Sequence, residues 1–109
     1  MEFKNDKMGD YYVVSIAGRL DAMTSGELEK QCDIWLSQGE HDIVLDMGNL
    51  EYISSAGLRS ILSSAKKLKK KGGDLYLCGL EGLVAEVLKM SGFAAIFQIF
   101  ETREQAING

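Results

Sequence analysis

Proline is absent from the 109 residues, so the turns have to be made by glycine, asparagine and aspartate. Histidine occurs once, as His41, and cysteine twice, as Cys32 and Cys78. So few soft ligands, none close to another in sequence, compose neither a recognisable metal set nor a disulfide framework, and no cofactor is implied. Cys32 falls on an apolar helical face and Cys78 ends an apolar strand, so both read as buried free thiols. No apolar run approaches the roughly 18 residues of a membrane span. The polar start Met1-Glu2-Phe3-Lys4-Asn5-Asp6 is not that of a signal peptide, and the expected location is the cytoplasm. Cations are also scarce: 12 Lys and Arg against 16 Asp and Glu leave a net charge of -4, which argues against nucleic acid as a partner. What the chain does have is 46% hydrophobic and 26% charged residues, enough for one core and one domain over residues 1–109.

The hydropathy pattern alternates between two periods. Tyr11 to Ala17 is rich in strand-forming residues and stops at Gly18; residues 2–7 are read as its antiparallel partner across the turn Met8-Gly9-Asp10. Thr24 or Ser25 is placed as the cap of a helix over residues 25–38, with Glu27 and Glu29 in the first turn. Its apolar stripe is Leu28, Cys32, Trp35 and Leu36, and Gly39 ends it. Asp42 to Met47 reads as a short buried strand left by a Gly48-Asn49 turn. A helix over 56–71 follows, with Leu58, Ile61, Leu62, Ala65 and Leu68 on one face. A strand at 74–78, a helix at 81–91 with the stripe Leu83, Val84, Val87 and Leu88, a strand at 96–100 and a short helix over 103–107 capped by Thr102 complete the chain. The order is β-β-α-β-α-β-α-β-α. That is an α/β fold with a mixed, mostly parallel sheet of four to five strands and about four helices.

No catalytic set is legible. His41 lies in a polar turn, Ser55 is not in a G-x-S-x-G elbow, and no Walker loop or G-x-G-x-x-G is present. The expectation is a binding protein, not an enzyme. Lys66, Lys67, Lys69, Lys70 and Lys71 precede Gly72-Gly73. They read either as a solvated helix end that complements the dipole or as a docking surface for an acidic partner.

The segment Tyr52-Ile53-Ser54-Ser55-Ala56-Gly57-Leu58-Arg59 places two hydroxyls where a strand becomes a helix. Backbone N–H groups and the helix dipole favour a hydroxyl or an anion there, so a serine is either a plain cap or a seat for a phosphoryl group. Together with Gly18-Arg19-Leu20-Asp21, Thr24, Lys71-Gly72-Gly73-Asp74-Leu75 and Met90-Ser91-Gly92, the segment resembles the STAS domain over about residues 2–107. The form it resembles is the free-standing bacterial anti-sigma factor antagonist. The resemblance implies a switch: the unphosphorylated antagonist binds a serine kinase that holds a sigma factor or other effector, and so frees the captive. Phosphorylation at the helix start breaks that complex, and a serine phosphatase resets it. The usual Asp-Ser-Ser/Thr-Gly motif, aligned on Gly57, makes Ser55 the acceptor and Ser54 the alternative. Ser54 replaces the aspartate and Ala56 the second hydroxyl. The resemblance also implies a partner-contact surface of Asp21, Thr24, Ser54, Ser55, Ala56, Gly57, Leu58 and Arg59. Another form of the family implies a different role, a subunit that docks unphosphorylated on a transporter or signalling complex.

Overall fold

The computed structural model describes residues 1–108, and Gly109, the last residue of the expected 1–109 domain, lies outside them. Its elements are β1 (Glu2–Met8), β2 (Tyr11–Leu20), α1 (Ser25–Ser37), β3 (Asp42–Ile53), α2 (Ser55–Lys70), β4 (Asp74–Cys78), α3 (Gly82–Met90), β5 (Gln98–Phe100) and α4 (Arg103–Asn108). The strands form one five-stranded sheet in the order β1-β2-β3-β4-β5. Only β1 is antiparallel to its neighbour; β2, β3, β4 and β5 run parallel, as strand–helix alternation requires.

The period of two along each strand divides the core. Val14, Ile16, Ile43, Leu45, Leu75 and Leu77 point to one face, where Leu28, Cys32 and Trp35 of α1, Leu58, Ile61 and Leu68 of α2, and Val84 and Leu88 of α3 cover them. Val13, Val44 and Cys78 point to the other face and meet Ala106 of α4. Tyr11, Tyr76 and Phe100 extend that second layer across the strands, with ring centroids 5.8 and 6.2 Å apart.

Two strands run further than the sequence pattern indicates. β2 passes through Gly18 to Leu20, and β3 passes through Gly48-Asn49 to Ile53. Pairing survives because the register shifts between Ser15 and Ala17 and again between Gly18 and Arg19. Gly18, at φ 105°, takes a bulge conformation and not a chain-reversing turn. Both glycines are thus irregular positions within continuing strands and not the strand ends the sequence pattern indicates. The extension matters for the site, because it carries Ile53 alongside Leu20 and delivers Ser54 beside the turn that starts α1.

The start of the last strand also differs: Phe93–Ala95 forms a 3₁₀ turn, and β5 begins at Gln98 instead of residue 96. In α3 only Val84 and Leu88 are buried, while Leu83 is 56% exposed, so that stripe is wider than the face the helix packs. The end of α2 follows the glycine signal closely. Gly72 N–H donates to Lys69 O at 3.1 Å and Gly73 N–H to Leu68 O at 2.9 Å, the paired bonds of a Schellman stop with Gly72 at φ 82°. His41 belongs to the turn before β3, where its carbonyl accepts Asp74 N–H at 3.1 Å.

Candidate functional site

The β3–α2 junction separates the two serines by local backbone geometry. Ser54 is extended (φ -106°, ψ 177°), its N–H donates to Leu20 O at 3.0 Å, and its carbonyl accepts Leu58 N–H at 2.9 Å. Its Oγ accepts Gly57 N–H at 3.3 Å, so Ser54 is the N-cap and its hydroxyl is committed to the helix. Ser55 is the first residue of α2 and is exposed; its hydroxyl has no protein partner among the described residues. The helix is thus capped by one serine, and the other is left free at the tip, where the dipole favours added negative charge.

The rest of the first turn is anchored. A Cβ on Gly57 would lie 2.5 Å from Leu20 O and 2.9 Å from Ile53 Cγ1, so only glycine lets α2 approach the end of β2 this closely. Gly57 O accepts the Ser60 hydroxyl at 2.7 Å. Gly57 is buried beneath the expected contact surface, and Leu58, also buried, meets solvent only where it lines the adjoining groove. Ala56 is half-buried. Arg59, one turn beyond Ser55, is exposed and unpaired among the described residues.

Asp21 and Thr24 form the neighbouring turn. Asp21 Oδ1 accepts Met23 N–H at 3.0 Å and Thr24 N–H at 3.3 Å. Thr24 Oγ1 accepts Asp21 N–H at 3.0 Å and donates to Arg19 O at 2.7 Å. Thr24 occupies the cap position of α1 without capping it; its hydroxyl folds the turn back on β2 instead. Burial pushes the Asp21 carboxyl upward, but the hydrogen bonds from Met23 and Thr24 and the charge of Arg19 outweigh it and hold the group below the ordinary 3.8. Arg19 in turn places its guanidinium 4.3 Å from the centroid of Tyr52, on the strand leading to Ser54. Because Ser54 N–H bonds Leu20 O, the two turns are physically one surface.

Beside this surface runs an open groove of about 550 Å³ lined by Tyr52, Ile53, Ser54, Ser55 and Leu58 on one side and Leu83, Val87, Met90 and Ser91 of the α3 region on the other. Met90 is 87% exposed, and in the α1 turn Met23 is 90% exposed. Sequence reasoning assigned Leu83 and Val87 to the core and missed this wall. The available signal was that α3 carries more apolar residues than its 9-residue length needs for one buried stripe.

Away from this surface, the Asp46–Arg103 pair is structural. Arg103 bonds Asp46 Oδ2 through Nε at 3.1 Å and Nη2 at 2.6 Å, tying α4 to β3, and Asp46 Oδ1 accepts Gly48 N–H at 3.0 Å. Burial, then the Asp46 charge, push the Cys78 thiol up to about 12, so it stays protonated. Burial likewise raises Cys32. Among the described residues no cluster of three or more His, Cys, Asp or Glu could hold a metal ion, and no helix is long and apolar enough to cross a membrane.

Comparison with known proteins identifies the family. Residues 3–106 match the model of the STAS domain. The chain is 39% identical over 106 residues to BtrV of Bordetella bronchiseptica, provisionally named an anti-sigma factor antagonist, covering 97% of this chain and 91% of that protein. It is 36% identical to the anti-sigma F factor antagonist of Paenibacillus polymyxa, covering 87% and 82%. A crystal structure from Thermotoga maritima, provisionally named likewise, has the same fold, with a TM-score of 0.89 at 23% identity over 97% of this chain and 92% of that one. This protein belongs to the STAS domain family, with relatives that are named anti-sigma factor antagonists.

Proposed function

We propose that this protein is the phosphorylation-controlled member of a partner-switching set. Unphosphorylated, it binds a serine kinase that acts as an anti-sigma factor and so releases the kinase's sigma factor or other effector. Phosphorylation of Ser55 ends that binding, and a serine phosphatase restores it. The observation that carries this reading is the uncommitted Ser55 hydroxyl at the tip of a packed helix, next to a groove with apolar walls.

The chemistry of such a switch follows from charge. A phosphoryl group adds about -1.5 to -2 charge and three acceptor oxygens. At the first residue of α2 that anion meets the positive helix end, so the fold tolerates it. An interface shaped around a hydroxyl and apolar side chains does not, because a doubly charged group has to be desolvated against it. Each ~1.4 kcal/mol of that penalty is tenfold in affinity. The switch acts at the interface and leaves the domain itself unchanged.

Incubation with the cognate serine kinase and ATP, followed by peptide mass spectrometry, tests the reading. Phosphate on Ser55, and its loss in Ser55→Ala without transfer to Ser54, is the expected result. An unmodified Ser55 rejects it, as does binding to the kinase that is the same for native protein, Ser55→Ala and Ser55→Asp.

A further inference from the structure

A second surface lies at the opposite end of α2. Leu62, Ala65, Lys66 and Lys69 stand three and four residues apart and form one stripe of the helix. They line one wall of a groove of about 310 Å³, whose other wall is Leu75 and the segment 96–98. The apolar lining is recessed except at the lip, where Ile96 is 61% exposed. Two lysines stand in the lining: Lys69, paired with Asp74 at 2.8 Å, and Lys66, exposed without a carboxylate partner among the described residues. Lys70, one turn beyond Lys66, and Lys71 are exposed and likewise unpaired among the described residues, whereas Lys67 faces α1 and pairs with Asp33 at 3.1 Å. On a chain of net charge -4, five of the 12 cations are concentrated between residues 66 and 71.

We propose that this groove docks an acidic, amphipathic segment of a partner protein. An apolar side chain of the segment enters beside Ile96 and Phe97, its flanking carboxylates meet Lys66 and Lys70, and another competes with Asp74 for Lys69. A bilayer is the poorer match, because the apolar lining is recessed, Asp74 stands in the groove and the whole chain is acidic. Lys66 and Lys69 follow Ser55 by 11 and 14 residues of α2, roughly 16–21 Å along the axis. That distance exceeds the Debye length of about 8 Å at physiological salt. The groove therefore holds its segment whichever state Ser55 is in, and the contact persists while the other interface opens and closes.

The test uses the full chain and a fluorescein-labelled peptide of about twelve residues in which Asp and Glu alternate with Leu and Phe. Fluorescence anisotropy and amide NMR shifts are the readouts, with phosphatidylserine vesicles as a separate arm. Saturable binding is expected, with shifts around residues 62–75 and 96–98, weakening as salt rises. Both Lys66→Glu with Lys70→Glu and Ile96→Asp weaken it at least about tenfold, with unchanged circular dichroism, while Ser55→Asp changes it less than about twofold. Absence of peptide binding, indifference to the lysine and isoleucine substitutions, or binding of vesicles without peptide overturns the proposal.

Discussion

Two adjacent serines with the same side chain stand in different local settings, and the difference lies in one hydrogen bond. Ser54 Oγ is held by Gly57 N–H, and Ser55 Oγ by nothing in the described residues. Ser54→Ala therefore removes a cap and lowers stability by about 1 kcal/mol, a fall of about 4–8 °C in Tm for a domain of this size. Ser55→Ala changes stability by less than about 0.5 kcal/mol. Thermal unfolding of the two variants distinguishes the roles without any partner. Asp21 makes a second residue-scale test. Its folded carboxyl lies below the ordinary 3.8, so its stabilisation is complete above that value and is lost as pH falls through the folded one. Asp21→Ala should destabilise the protein near about pH 7 and matter less near about pH 2, measured by urea unfolding at both. The sequence revealed that a hydroxyl belongs at the start of α2. It did not show which of the two serves as cap, because that depends on Ser54 N–H reaching Leu20 O, 34 residues earlier in the chain. The role of Thr24 was hidden for the same kind of reason: its hydroxyl bonds Arg19 O instead of its own helix.

Elements were most legible where the chain carries an unambiguous stop. Gly39 ends α1 and Gly72 ends α2, each at positive φ with the bonds that close a helix. Gly73 adds a packing demand of its own, since a Cβ there would lie 1.8 Å from His41 O. Gly73→Ala must move the β3 and β4 starts apart and should cost about 3 kcal/mol or more, seen as a large drop in the urea midpoint. Gly18 and Gly48 resemble strand ends in the sequence because a bulge and a turn use the same residue type, and only the partner strand decides between them. The wall contributed by α3 escaped notice for a related reason. Helical spacing shows that Leu83 and Val87 share a face with core residues, but not how far the sheet beneath extends.

At the scale of the molecule, the two ends of α2 differ in chemistry. The N-terminal end presents Ser55 beside an apolar groove, and the other end presents lysines beside a smaller one. The core between them is ordinary and inert. Both cysteines are buried and protonated, so a thiol reagent at about pH 8 should label neither in the native protein and both after unfolding in urea. The fold class and the parallel run of strands after the hairpin followed from strand–helix alternation, but the groove did not, since it lies between the β3–α2 junction and α3. In the proposed switch, charge on Ser55 alters binding and not the fold. Calorimetric titration of the cognate kinase with unphosphorylated and Ser55-phosphorylated protein, each with its amide NMR spectrum, tests this directly. Affinity at least about a hundredfold weaker is expected for the phosphorylated form, with shift changes confined to the start of α2 and its neighbours. Affinities within about twofold, or a spectrum rearranged throughout the sheet, would contradict it.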